Sequence, residues 1–394
     1  MQILNSKKKI KILELITLFS IGGATETVVS MAKGLQNLGF EVEIATGPHI
    51  VSEGSMYETA EDLGIPVFTF KNLRRDINLF VDILIIIQLA WFIRKNKYTV
   101  VHTHSSKAGV VGRIAAFLAG VKVIIHTIHG LPFHRYQPSL QKKLFIFVEK
   151  ISALFCDKII AVTYTIVDVL VKGNIVPQHK LRVIRSAFSL EEYLKVNVPK
   201  EQIQARFGLL KNDIVIGKIA RLSKLKGHEY LLSAFAKVAK AVPNAKLLIV
   251  GNGELESELK HFVKKERLAD KVIFTGLVLP EDIPSIINTM DILVHSSLLE
   301  GLARVLPQAI MLEKPVISFD LDGAHEVIKN GVNGYLIEPL NIEQLAERII
   351  DLCNNKSKAK SFGKIGKELL KDEFDDRKMV AEIARLYREL LIKS

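Results

Sequence analysis

The stretch IKILELITLFSIGGATETVVSMAKGLQNLGFEVEIAT, residues 10–46, decides the fold. Ile10–Leu18 is an apolar run of strand length, and Ser20-Ile21-Gly22-Gly23-Ala24-Thr25 follows it as a glycine-bearing loop. Val28, Val29, Met31, Ala32 and Leu35 then recur at helical spacing, and Glu41–Thr46 is a second strand-like run. Strand, helix and strand in this order make one βαβ unit, which implies a parallel sheet covered on both faces.

The alternation repeats outward. Runs at Pro66–Phe70, Thr99–Thr103, Val121–Thr127 and Lys158–Val162 continue the first series. A fresh series begins at Asp213–Ala220 and runs through Ala245–Val250, Lys271–Thr275, Asp291–Val294 and Pro315–Phe319. Two doubly wound α/β domains are expected, over residues 1–190 and 212–371, joined by a linker over 191–211 that carries Pro199. The tail, 372–394, has helical spacing at Met379, Ile383, Leu386 and Leu390 and is expected to pack back on the first domain. In open parallel sheets ligands bind beyond the carboxyl ends of the strands, so a cleft between two such domains is the expected site.

Composition narrows the partners. With 48% hydrophobic and 24% charged residues over 394 positions, the chain is neither disordered, collagen-like nor a disulfide framework. Residues 1–190 hold 23 Lys and Arg against 13 Asp and Glu, a balance of +10 within the chain's +12. That asymmetry points the first half to an anionic partner: nucleic acid, phosphorylated substrate or anionic membrane. No zinc finger, RRM pattern or aromatic platform is present, so nucleic acid is set aside. Two cysteines far apart, Cys156 and Cys353, suit a reducing compartment. Lys7, Lys8, Lys9 and Lys11 before an apolar run resemble a secretory leader, but Glu14 interrupts the run, and a cytoplasmic protein is expected.

Two further stretches bear on a membrane. Ile77–Ile93 has only Asn78, Asp82 and Gln88 as polar residues; it is too short to span a bilayer and is expected to be a buried crossover helix. Lys142–Lys150 places basic residues beside Leu144, Phe145, Phe147 and Val148, an amphipathic element able to lie on anionic lipid at the inner face of the cell membrane, or equally a basic amphipathic helix packed on its own sheet.

Candidate chemistry sits in loops after strands. The Gly22-Gly23 pair lets backbone N–H groups approach an anion at a helix start, or equally makes a tight turn needing positive φ. Arg221 and Lys226, beyond the first strand of the second series, are placed to clamp a diphosphate, or are ordinary solvated loop cations. In Val294–Ala309, Glu300 precedes a helix whose first N–H groups are expected at Gly301, Leu302 and Ala303. Those donors suit a phosphate and Glu300 suits sugar hydroxyls. Gln308 is expected about two turns along the same face, within reach of a ribose, with Pro307 kinking the helix to aim it.

Glu300-Gly301-Leu302-Ala303 followed by Gln308 resembles the Glu-x7-Glu motif of the family 4 retaining glycosyltransferases of the GT-B fold. The Gly22-Gly23 loop, the Gly217–Gly227 segment and Asp322-Gly323-Ala324-His325-Glu326 resemble the same family's other motifs in the same order. The resemblance implies two Rossmann-like domains facing across a cleft and a sugar moved from a UDP- or GDP-linked donor, with no metal and no further cofactor. It implies that Glu300 meets the sugar, that Leu302, Ala303, Arg221 and Lys226 hold the diphosphate, and that Gly22-Gly23 closes over it. His129, just past the Val121–Thr127 strand, matches the family's histidine near the sugar. Gln308 stands where the family usually has Glu, which bears on donor affinity.

Three patterns remain. His102 and His104 alternate on one strand and would suit a metal pair, but no nearby carboxylate is evident in the sequence and metal is rejected. His104, Ser105 and Lys107 resemble an acceptor-side segment of polysaccharide-assembling members of the family. Val250-Gly251-Asn252-Gly253-Glu254 lacks the third glycine of a dinucleotide site. The expectation is a glycosyltransferase acting on a lipid-linked or oligosaccharide acceptor in cell-surface glycan synthesis. A sugar-nucleotide epimerase and a non-catalytic sugar-nucleotide binder are the alternatives.

Overall fold

The computed structural model describes residues 9–196 and 198–393; Lys7 and Lys8 of the basic start lie outside them. The chain forms two compact units, one of residues up to 186 together with 376–393, the other of residues 187–375.

In the first unit seven strands lie in the order β3-β2-β1-β4-β5-β6-β7. They are β1 (Lys11–Ile16), β2 (Glu41–Thr46), β3 (Val67–Thr69), β4 (Val100–His104), β5 (Val123–Ile128), β6 (Lys158–Ala161) and β7 (Leu181–Val183). Every pairing is parallel. Ile12, Leu13 and Leu15 of β1 are fully buried although they alternate between faces, because helices cover both sides of a parallel sheet. The strand order reverses between β1 and β4, where Glu14 lies in register with His102.

The second unit repeats the plan with six strands in the order β10-β9-β8-β11-β12-β13. These are β8 (Ile214–Ile219), β9 (Ala245–Val250), β10 (Val272–Phe274), β11 (Ile292–His295), β12 (Val316–Phe319) and β13 (Gly334–Ile337). Its switch point falls between β8 and β11. All eleven expected strands are present. The remaining two, β7 and β13, are edge strands with no counterpart among the expected runs.

One segment differs from expectation. Residues 191–211 are part of the second unit, not a bare linker: they contribute to the Leu190–Leu194 helix and form the Lys200–Arg206 helix, and Tyr193 and Ile203 are buried there. The Asp376–Lys393 helix lies in the first unit against the Gly23–Asn37 helix. The approach is close enough that a Cβ on Gly34 would meet Val380 Cγ2 at 2.6 Å. Ser30 Oγ donates to Asp376 Oδ2 at 2.9 Å at the start of this contact.

The apolar stretch after Ile77 is a larger correction. It forms the Leu79–Asn96 helix, started by the Asn78 side chain accepting the Val81 N–H and ended by Lys97 in the left-handed region. Only Ile85, Leu89 and Ile93 of this helix are buried, while Leu79, Phe80, Ile83, Leu84, Ile87 and Trp91 face solvent, Phe80 with 82% of its surface exposed. Composition cannot separate a helix buried all round from one with a narrow buried stripe and an outward apolar face.

The Ser139–Ser152 helix also turns apolar residues outward. Leu140, Leu144, Phe147 and Ile151 form an outward stripe, whereas Glu149 points inward and makes a two-pronged ion pair with fully buried Arg113 at 2.9 and 3.2 Å. No described helix is long and apolar enough to cross a membrane.

Candidate active site

In the second unit the loops after β8 and β11 are tied together. Leu298 N–H donates to the Leu225 carbonyl at 2.7 Å, and Ser296 Oγ donates to the Gly227 carbonyl at 2.6 Å. Gly227 has φ +64°, and a Cβ there would sit 1.9 Å from the Ser296 carbonyl oxygen, so only glycine allows this approach. Gly251 and Gly253 do the same beneath Arg221: added Cβ atoms would lie 2.3 and 2.4 Å from the Ala220 and Leu222 carbonyls. Their role is to admit the Arg221 loop.

The result is a charged cluster at the carboxyl ends of β8 and β11. Lys226 Nζ lies 2.7 Å from Glu300 Oε1, and His295 Nε2 lies 3.2 Å from the same oxygen. Asp322 Oδ2 accepts the Glu300 backbone N–H at 2.7 Å, and Gly323 N–H donates to the Gly301 carbonyl at 3.2 Å. Burial raises the Glu300 carboxyl, but Lys226 and His295 beside it outweigh that and hold it well below the usual carboxylate range. His295 is pushed down by burial against the pull of Glu300, and its Nδ1 is buried without a hydrogen bond. His228 is held down to about 3 by burial; its Nε2 lies 2.9 Å from the Arg221 carbonyl, fixing that loop.

Nothing in the sequence marks Lys218, which sits inside an apolar strand. It is fully buried on β8, its Nζ 3.0 Å from Ser296 Oγ, and burial lowers it to about 7 despite the nearby Glu300. Asp322 was noticed only within a motif; its hold on Glu300 is visible only in three dimensions.

The helix after Glu300 starts later than expected. It spans Val305–Met311, so the N–H groups of Gly301, Leu302 and Ala303 belong to a buried loop, not a first helical turn. Pro307 therefore falls in the first turn, where its missing N–H is not needed and no kink arises. Gln308 is buried, and among the described residues its side chain makes no hydrogen bond.

In the first unit Gly22 and Gly23 lie at the start of the 15-residue Gly23–Asn37 helix, as the sequence indicates. Gly22 has φ 161°, an extended backbone, which sets aside the tight-turn reading that requires positive φ.

Of the acceptor-side residues, Ser105 and Lys107 are partly exposed, whereas His104 is buried. His104 is 1% exposed and cannot meet a substrate directly. Ser105 Oγ lies 2.6 Å from Thr17 Oγ1, and Lys107 pairs with Asp82 and donates to the Asp76 carbonyl. Glu14 of β1 lies beside His102 and His104 of β4, so the carboxylate not evident in the sequence is present in the fold. Direct hydrogen bonds link these groups: His104 Nε2 is 2.8 Å from Glu14 Oε2, and His104 Nδ1 is 3.1 Å from His129 Nε2.

Known proteins match this architecture throughout. A model of glycosyl transferases group 1 matches residues 199–369, and one of glycosyltransferase family 4 matches residues 21–192. The chain is 27% identical over 391 residues, 98% of both chains, to an Escherichia coli enzyme, UDP-Gal:alpha-D-GlcNAc-diphosphoundecaprenol alpha-1,3-galactosyltransferase. It is 27% identical over 82% of its length, and 85% of the relative's, to the capsular polysaccharide biosynthesis glycosyltransferase CapM of Staphylococcus aureus. Among solved structures, Anabaena HepE in complex with UDP and glucose superposes with a TM-score of 0.82 at 23% identity, covering 96% of this chain and all of that one. None of these relatives favours the epimerase or the non-catalytic alternative.

Proposed function

Since the chain belongs to the family 4 glycosyltransferases of the GT-B fold and is a nucleotide-sugar glycosyltransferase, we propose that it moves one sugar, with retention of configuration, from a UDP-sugar to a lipid-linked glycan acceptor at the cytoplasmic face of a membrane. The observation that carries the site assignment is the Lys226–Glu300–His295 cluster at the switch point of the second sheet. The UDP moiety is supported by the HepE complex, and the lipid-linked acceptor by the name of the E. coli relative.

The chemistry follows from the charges. The C1–O bond to the β-phosphate breaks, and its electron pair leaves on the phosphate oxygen. The acceptor hydroxyl oxygen bonds to C1 from the same face, and its proton passes to the departing phosphate. Arg221 and Lys226 offset the negative charge that develops there, so no metal is needed. Glu300, kept ionised, accepts from sugar hydroxyls, and Gln308 offers a neutral amide to the ribose. His129 and the Gly22-Gly23 loop keep the donor-side roles that the family resemblance implies.

The outward apolar stripes of the Leu79–Asn96 and Ser139–Ser152 helices, bordered by Arg74, Arg75, Lys95, Lys97, Lys142 and Lys143, are assigned to an anionic lipid surface. The test is transfer of label from UDP-sugars into lipid extract, with the product anomer read by NMR. Glu300→Gln is expected to lower kcat at least about 100-fold. Wild-type turnover by that variant removes the site assignment, and no transfer from any UDP-sugar removes the donor.

A further inference from the structure

A continuous chain of hydrogen bonds runs through the first unit from a buried carboxyl to the partly exposed ring of His129. Glu14 is fully buried at the switch point between β1 and β4. Its Oε2 lies 2.8 Å from His104 Nε2 and 3.3 Å from His102 Nδ1, and its Oε1 accepts from the Tyr387 hydroxyl at 3.1 Å. His104 Nδ1 lies 3.1 Å from His129 Nε2, and His129 Nδ1 lies 3.4 Å from Ser186 Oγ. To the side, His102 Nδ1 is 2.6 Å from the Tyr387 hydroxyl and its Nε2 is 2.7 Å from Thr127 Oγ1.

Proton counting restricts this chain to two arrangements. Each hydrogen bond holds one proton, and a neutral imidazole carries one N–H. If Glu14 is ionised, it accepts from His104 Nε2–H. His104 Nδ1 then accepts from His129 Nε2–H, and His129 Nδ1 bears a lone pair. If Glu14 is protonated, its O–H donates to His104 Nε2, His104 Nδ1–H donates to His129 Nε2, and His129 Nδ1 becomes the N–H. The two rings must therefore share one tautomer and change it together.

We propose that Glu14 is a positioning residue for His129: through His104 it sets which nitrogen of the His129 ring is a donor and which an acceptor. The activity consequence rests on the reading of His129 given above; the proton link does not. The groups facing Glu14 are His102 and His104 from β4 and Tyr387 from the Asp376–Lys393 helix, with Thr127 of β5 behind His102; His126 of β5 bonds Thr103 on the other face of the sheet. Burial holds His104 down to about 3 and His102 well below its usual range, which keeps these two rings neutral. Burial raises Glu14, while its bond from Tyr387 opposes that rise.

The test is nitrogen-15 NMR of the full chain labelled at histidine, across pH 5 to 9, with and without substitutions. The wild type is expected to show His104 and His129 in the same tautomer, both moving from Nε2–H to Nδ1–H at one shared pH as Glu14 takes up its proton. Glu14→Gln removes that transition. Tyr387→Phe deletes a donor to the carboxylate and moves the transition to higher pH; it serves also if Glu14→Gln does not fold. Opposite tautomers on the two rings, or a His129 tautomer indifferent to both substitutions, overturns the link. So does a stoichiometric metal ion in the purified protein, because metal on these atoms displaces the proton. A coupled transition alongside unchanged turnover in Glu14→Gln upholds the link and removes His129 from the sugar site.

Discussion

Asp322 holds Glu300 by its backbone, its Oδ2 accepting the Glu300 N–H at 2.7 Å, while the Glu300 side chain turns to Lys226. Asp322 itself has φ +52°, a conformation that Asp and Asn tolerate better than most residues. Asp322→Ala is therefore expected to lower kcat about 10- to 100-fold by freeing the Glu300 loop. Asp322→Asn, which keeps an acceptor and the backbone preference, should recover most of the loss in the same lipid-transfer assay.

Lys218 makes stability depend on pH. Its folded pKa of about 7 lies below the ordinary 10.5, so between those values the unfolded chain binds the extra proton. The penalty for burying the charge is complete below pH 7 and disappears as pH rises toward 10.5. Lys218→Met is expected to raise stability by about 2–4 kcal/mol at pH 6, with the gain shrinking steadily above pH 7. Thermal unfolding of both proteins across pH 6 to 10 measures it; a pH-independent difference contradicts the assignment.

Arg113 and Glu149 form a buried pair that must be removed whole or not at all. Glu149→Leu strands the guanidinium and is expected to cost about 3–5 kcal/mol, whereas Arg113→Leu combined with Glu149→Leu should recover much of that. Chemical denaturation of the single and double variants decides it.

Lipid contact predicts a separation of effects. Phe80→Ser with Phe147→Ser should reduce sedimentation with anionic vesicles by at least about tenfold and leave thermal unfolding unchanged, since both side chains face solvent. Raising salt from 50 to 500 mM should weaken wild-type binding by screening the basic border. Salt-insensitive binding contradicts the role of that border.

Chelation offers a simple contrast. With Arg221 and Lys226 as the countercharge to the leaving phosphate, EDTA is expected to leave turnover unchanged, while Lys226→Ala should lower it about 100-fold or more. A return of activity on adding magnesium to the chelated enzyme counts against this charge assignment.

Much of this architecture was legible along the chain. Val/Ile runs marked eleven strands, and the segments holding Arg221, Lys226 and Glu300 were identifiable because each follows an apolar run into a polar loop. What was hidden depended on neighbours far apart in sequence. Glu14 looked like an interruption of a strand because His102 and His104 stand beside it only after the sheet order 2-1-4 is known. Lys218 acquires its partner only when the loop after β11 lies over it. The helix begins only at Val305 because the Glu300 N–H is taken by Asp322, a contact made only in the folded chain. The Leu79–Asn96 helix was misjudged because apolar composition records how greasy a helix is, not which way it faces.

The first unit is discontinuous in the chain, and this orders its assembly on the ribosome. Residues 187–375 form an unbroken segment whose ends meet, Phe188 N–H donating to the Phe374 carbonyl at 3.2 Å. They emerge before the Asp376–Lys393 helix that lays Val380 on Gly34 and brings Tyr387 to Glu14. During translation the first sheet must wait, with its Gly23–Asn37 helix uncovered and its Glu14 carboxyl lacking the tyrosine donor, while the later segment can already close. The Asp376–Lys393 helix completes a unit begun with β1, so a nascent chain stalled near residue 375 would hold a closed second unit and a first unit still lacking a helix.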